Sequence, residues 1–132
     1  MKYLLDTHTL IWTLLEPQKL SVQSFNTIAD KTNQIYVSSV NFWEICIKIG
    51  CGKLALGSLR PERLPAVCKD WGFQMLVLTP GQASTFSHLT AHYHNDPFDR
   101  MLIWQAIRKD LIFITDDRNI RKYTSEGLQV IW

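Results

Sequence analysis

Apolar residues fall along the chain in short runs, and between the runs they recur at helical spacing. Tyr3-Leu4-Leu5, Ile35-Tyr36-Val37, Phe73 to Leu78 and Leu111 to Ile114 read as buried strands, with a fifth at Gln129-Val130-Ile131. The stretches between them predict helices. One covers Thr9 to Leu15 and is stopped by Pro17; a second runs from a Ser21 cap to about Ala29. A third runs from a Ser39 cap to Ile49 and ends at Gly50 and Gly52. Glu62 to Trp71, with Pro65 near its first turn and Gly72 closing it, Gln82 to Leu89, and Asp96 to Lys109 complete the set. Short apolar strands separated by helices need right-handed crossovers, so the pattern predicts an α/β fold whose mainly parallel sheet is covered on both faces.

In such sheets ligands collect beyond the carboxyl ends of the strands. Asp6 follows the first strand, and Asp116 and Asp117 follow the fourth. Glu44 and Asp99 lie on helices. Glu44 is five residues past the Ser39 cap, roughly 7–8 Å along the axis. Helical side chains lean toward the N-terminus, so a Glu at that depth reaches the strand-end edge. Asp99 shares a helix face with Ile103 and Ala106, and an acid on an apolar stripe needs a partner. Ionised carboxylates about 4 Å apart repel by about 4 kcal/mol at an effective dielectric of 20. Either some stay protonated or cations bind. A set of carboxylate oxygens suits Mg²⁺ or Mn²⁺ and phosphoryl chemistry.

Each acid also has a structural role open to it. Asp96-Pro97-Phe98-Asp99 makes a good helix start, with Asp96 as cap rather than ligand. Glu44 and Lys48 are an i,i+4 pair in the favourable order, and Asp116 or Asp117 suits a cap for a helix toward Tyr123. Asp6 ends a buried strand and has the weakest structural explanation.

Composition narrows the class. With 132 residues and 46% of them hydrophobic, the chain has the size of one domain with a real core, and residues 1–132 are expected to form it. Lys and Arg number 14 against 12 Asp and Glu, so the net charge of +2 gives no bulk signal for nucleic acid. No apolar run approaches the ~20 residues of a membrane span. Three cysteines without C-x-x-C spacing read as reduced, mostly buried thiols of a cytoplasmic protein.

The motifs Leu4-Leu5-Asp6-Thr7-His8, Ser38-Ser39 through Trp43-Glu44-Ile45 to Lys48 and Gly52-Lys53-Leu54, Asp96-Pro97-Phe98-Asp99-Arg100-Met101-Leu102-Ile103, and Thr115-Asp116-Asp117 span nearly the whole chain. In that order they resemble the PIN domain family, and within it the VapC-type toxin ribonucleases of type II toxin–antitoxin systems. The resemblance implies a three-layer α/β/α sandwich with a mainly parallel sheet of four to five strands. It implies a Mg²⁺- or Mn²⁺-dependent endoribonuclease, a homodimer, and a VapB-like antitoxin partner. Carried across by position, the catalytic and metal-binding acids are Asp6, Glu44, Asp99 and Asp117, with Asp116 the alternate for the last. Thr7, Lys48, Lys53, Arg100 and Thr115 become candidates for RNA contacts. Trp104 stands where the family commonly has a small residue.

Other readings carry less. A phosphatase of the haloacid-dehalogenase type needs D-x-D after the first strand, and His8 occupies the second position. A receiver domain needs paired acids there, and a silent PIN-fold binding module would not need the four acids. His88, His92 and His94 lack a fourth zinc ligand. His8 fits capping or packing of the first helix. Trp12, Trp43 and Trp104 fit a core or an interface, and nothing in the sequence selects one of them for base stacking.

Overall fold

The computed structural model describes residues 1–132. Five strands, β1 (Lys2–Leu5), β2 (Gln34–Ser38), β3 (Gln74–Leu76), β4 (Ile112–Ile114) and β5 (Gln129–Ile131), form one sheet. Their order is β3-β2-β1-β4-β5 and every pairing is parallel. The chain steps outward from β1 to β3 and then crosses to the other side of β1. That reversal puts the switch point of the sheet between β1 and β4, where parallel sheets open a crevice at their carboxyl ends.

The helices are α1 (Thr7–Leu15), α2 (Val22–Ala29), α3 (Ser39–Gly50), α4 (Leu64–Asp70), α5 (Pro80–Ser84), α6 (Pro97–Lys109) and α7 (Arg118–Arg121). Alternation along β1 divides the core in two. Leu4 faces a cluster with Leu102, Ile103 and Ala106 of α6, Phe113, Ile120 and Tyr123. Tyr3 and Leu5 face the other side, with Leu10 of α1, Ile28 of α2, Leu64 and Cys68 of α4, and Ile114. Helices thus cover both faces, as the sequence pattern predicts. Each fully buried Leu, Ile or Phe contributes about 1.5–3 kcal/mol through apolar area removed from water. Helix α3 serves both clusters, through Val40 on one and Ile45 on the other.

Several boundaries differ from the sequence reading. Ser38, not Ser39, caps α3: its hydroxyl accepts from Val40 N at 3.0 Å, while Asn41 Oδ1 accepts from Ser38 N at 2.7 Å. The stretch Gln82–Leu89 is not one helix. Helix α5 starts earlier, under a Thr79–Gln82 capping box, and stops at Ser84, and a single 3₁₀ turn follows over Phe86–His88. Pro80 at the first turn and the box at Thr79 fix the start, because both satisfy or remove orphan N–H groups. Asp117 caps α7, whose path to Tyr123 continues as a 3₁₀ turn over Lys122–Glu126. The thiols also need correction. Only Cys68 is buried; Cys46, on the outer face of α3, and Cys51, at its end, are exposed.

Candidate active site

Five acids meet above the switch point. Asp6 leaves β1 and caps α1. Its backbone N–H continues the ladder to Ile114 O at 3.2 Å, and its Oδ1 accepts from Thr7 N at 2.8 Å. Its Oδ2 accepts from the Thr115 hydroxyl at 2.6 Å. Thr115 is therefore a support between two strand ends, and its Oγ1 also accepts from Asp117 N at 3.1 Å. Glu44 projects from α3 and is buried. Oε1 accepts from the Thr7 hydroxyl at 2.5 Å, and Oε2 faces the Lys48 ammonium. Asn41, one turn earlier, donates to Thr7 Oγ1 at 3.0 Å and to Leu5 O at 3.2 Å, which ties α3 to the end of β1.

Asp96 and Asp99 open α6. Asp96 Oδ1 accepts from Phe98 N at 2.9 Å and Asp99 N at 3.1 Å, the capping role expected of it. It also lies close to two other acids. Ligand oxygens of Glu44, Asp96 and Asp99 all lie within 4.8 Å of one another. In the sequence a cap and a ligand look like competing roles for Asp96. One carboxylate has two oxygens, and here the cap uses only Oδ1. Asp117 settles beside the same cavity of about 320 Å³, which Asp6, Thr7, His8, Glu44, Lys48, Lys53 and Asp99 also line. Asp116 lies farther out, with Oδ1 at 2.5 Å from His8 Nε2; His8 Nδ1 is 3.2 Å from Asp6 Oδ2. His8 thus bridges two acids and packs edge-on against Trp12, with ring centroids 4.8 Å apart, rather than only supporting α1.

Burial and mutual repulsion shape the protonation of this pocket. Burial pushes the Asp6 carboxyl up, against the opposing pull of His8, Thr115 and Thr7. Burial, then the charges of Asp6, Asp96, Glu44 and Asp117, push Asp99 up to about 8. Burial opposes charge on Lys48, but the Glu44 carboxylate outweighs it and holds the ammonium above its ordinary value. Burial pulls the His94 imidazole down, against Asp117 and Asp96. A pocket of crowded carboxylates either takes up a proton or has room for a cation in its place. The acids of the pocket offer carboxylate oxygens, the hard chemistry that suits Mg²⁺ or Mn²⁺, while the imidazoles of His8 and His94 face Asp6 and Asp99.

Three expectations change, and the first is Thr115, expected at the RNA but fully buried and committed to Asp6 and Asp117. Arg100, expected at a phosphate, is buried, and its Nη2 donates to Leu89 O at 2.9 Å and Ala91 O at 3.1 Å. Its helical position, one residue past Asp99, turns it away from the pocket by about 100°, so it anchors the loop before α6 instead. Thr7 is likewise buried and committed to Glu44. Lys53 is exposed at the cavity rim, where a phosphate contact remains open to it. His94 is the neighbour that sequence reasoning missed: it lies 3.3 Å from Asp99 Oδ2, whereas His92 is exposed and His88 packs near Trp104. The signal was its place two residues before the cap Asp96, on the segment that must turn into α6.

The same architecture occurs in known proteins. The chain is 24% identical over 129 residues to Ribonuclease VapC22 of Mycobacterium tuberculosis, covering 98% of this chain and 97% of that one. The crystal structure of DNA-bound VapBC from Salmonella typhimurium matches with a TM-score of 0.65 at 24% identity, over 99% of this chain and 97% of that chain. VapBC-1 from nontypeable Haemophilus influenzae matches with a TM-score of 0.69 at 15% identity, over 99% and 97%. Residues 3–126 match the model of the PIN domain, a span that takes in all of β1 but Lys2, every acid of the pocket and Thr115. The chain belongs to the PIN domain family.

Proposed function

We propose that this protein is a Mg²⁺- or Mn²⁺-dependent endoribonuclease and the toxin of a toxin–antitoxin pair. The observation that carries the reading is the convergence of Asp6, Glu44, Asp99 and Asp117 on one cavity at the switch point. The likeness to a protein named as a VapC ribonuclease supports the choice of RNA as substrate.

Asp6, Glu44, Asp99 and Asp117 would hold the cation, with Asp96 within reach of the Glu44–Asp99 side and Asp116 outside the cavity. Bound there, a divalent cation supplies Lewis-acid charge for water attack on a phosphodiester and for the leaving oxygen. The chain's own residues do the rest. Thr115 and the Thr7 N–H fix the two oxygens of Asp6, and the Thr7 hydroxyl and Lys48 fix those of Glu44. Such fixed carboxylates need no rearrangement when charge develops. Lys48 and Lys53 set positive charge beside the pocket, where a phosphate approaches. In-line attack by water at this site leaves a 5′-phosphate and a 3′-hydroxyl.

The same reading brings two partners. VapBC complexes among the structural relatives favour a VapB-like antitoxin that covers the pocket, and a homodimer would widen the grip of a small domain on RNA. The RNA such a toxin acts on is cytoplasmic. No helix is long and apolar enough to cross a membrane.

The direct test is cleavage of a total RNA pool with Mg²⁺, with EDTA, and by Asp6→Asn. EDTA should abolish cleavage. The substitution should lower it by about 100-fold or more, since losing even a partner of a metal ligand costs 10–100-fold. RNA cut equally well under all three conditions overturns the proposal.

A further inference from the structure

Asp99 is tied to a hydrogen-bonded chain that runs back into the core. His94 Nε2 lies 3.3 Å from Asp99 Oδ2, and His94 Nδ1 lies 3.0 Å from the Tyr123 hydroxyl. The side chains of His94 and Asp99 are 13% and 15% exposed, and Tyr123 is fully buried. The rings of His94 and Tyr123 also pack edge to face, with centroids 5.5 Å apart. Against an ionised Asp99, a neutral imidazole satisfies both neighbours in one way. Nε2–H donates to Asp99 Oδ2, and the Tyr123 hydroxyl, which also lies 3.4 Å from His94 O, donates to the nearer Nδ1 at 3.0 Å.

The backbone around this chain is fixed on both sides. Arg100 clamps the carbonyls of Leu89 and Ala91, upstream of His94. The Asp96 cap holds the first turn of α6, downstream of it. Tyr123 arrives from the turn after α7, so the chain links the start of α6 to the segment beyond Asp117. A histidine that merely filled space here would have no use for two aligned polar contacts, and burying them without partners would cost stability.

We propose that His94, oriented by Tyr123, is a positioning residue that sets the Asp99 carboxylate for the divalent cation. Engaging Oδ2 with the imidazole leaves Oδ1 for the cation and removes the rotational freedom that binding would otherwise have to freeze. The inference rests on the reading of the pocket as a metal centre and adds to it a residue outside the acid set.

The test measures Mn²⁺ affinity of the RNA-free protein by calorimetry, for wild type, His94→Ala, His94→Gln and Tyr123→Phe. A 10–100-fold loss is expected for His94→Ala. His94→Gln, which keeps an N–H donor, should recover part of it. Tyr123→Phe, which keeps the ring packing and loses only the hydroxyl, should weaken binding several-fold. Folding of each variant is checked by its amide NMR spectrum. If His94→Ala does not fold, the Gln and Phe variants carry the test. In the Mg²⁺-loaded wild type, ¹⁵N shifts should report the Nε2–H tautomer of His94. Variants that bind Mn²⁺ within twofold of wild type overturn the proposal, and so does an Nδ1–H tautomer. A ¹⁵N hyperfine coupling between His94 and bound Mn²⁺ also overturns it, because His94 would then be a ligand. A wild-type protein that binds no divalent cation fails differently, since it removes the metal reading itself.

Discussion

At the scale of single residues, the pocket holds charge that the fold cannot tolerate bare, and Asp99 carries the largest consequence. In an unfolded chain an Asp gives up its proton at about 4, whereas in the folded protein burial and the neighbouring acids hold it until about 8. Across that window the native state binds more protons than the unfolded state, so metal-free stability falls as pH rises from about 4 to about 8. Urea midpoints of the EDTA-treated protein should decline through that range. Asp99→Asn should flatten the decline, and saturating Mg²⁺ should remove it by supplying the missing positive charge. A midpoint that holds steady in the metal-free wild type would contradict this account. Cys68 illustrates the same physics without function. Burial pushes its thiol up to about 11, so it stays neutral, while Cys46 and Cys51 stand in solvent. A thiol reagent at neutral pH should label two cysteines quickly and the third only on unfolding.

At the scale of elements, what matters is how α3 and α6 are locked to the strand ends. The Ser38 hydroxyl donates to Gln105 Oε1 at 2.5 Å, and Gln105 Nε2 donates to Gln82 Oε1 at 2.9 Å. All three residues are buried, so β2, α6 and α5 share one polar strut through the core. Gln105→Met keeps most of the volume but strands the Ser38 hydroxyl, and should cost about 1–3 kcal/mol in denaturant unfolding. Ser38→Ala in that background should then cost less than it does in the wild type, because the pair is coupled. The far end of α6 is set differently. Asp110 closes the helix in the left-handed region at φ 53°, a conformation that costs a side chain about 1–2 kcal/mol. Asp110→Gly should raise the melting temperature slightly, as the relieved strain outweighs the added freedom of the unfolded chain.

At the scale of the whole molecule, the pocket is a property of topology. Asp6 and Thr115 are 109 residues apart and meet because β1 and β4 are neighbours. Glu44 joins them from the chain's outward path, and Asp99 and Asp117 from its return. A cation bound there cross-links both halves of the fold and has no equivalent site in the unfolded chain. Mg²⁺ at 100 times its dissociation constant should therefore stabilise the protein by about 2.7 kcal/mol, seen as a melting temperature that climbs with metal concentration. Asp6→Asn should blunt that climb, and a melting temperature indifferent to Mg²⁺ or Mn²⁺ would count against the metal centre.

The sequence by itself determined the layered fold, because short apolar runs separated by helical periodicity can bury themselves only as a covered parallel sheet. It also marked Asp6, Glu44, Asp99 and the Asp116–Asp117 pair, since acids at strand ends and on inward helix faces stand out against an apolar pattern. Only the tertiary structure decided the rest. It turned Arg100 into an anchor for two carbonyls, placed Asp117 at the cavity and Asp116 beyond His8, brought Asp96 within reach of Glu44 and Asp99, and set His94 between Asp99 and Tyr123. The physical reason is that periodicity reports which way a side chain faces. Which oxygen or nitrogen it meets depends on partners that the fold brings together, up to 109 residues away, and on the side chains' last rotatable bonds.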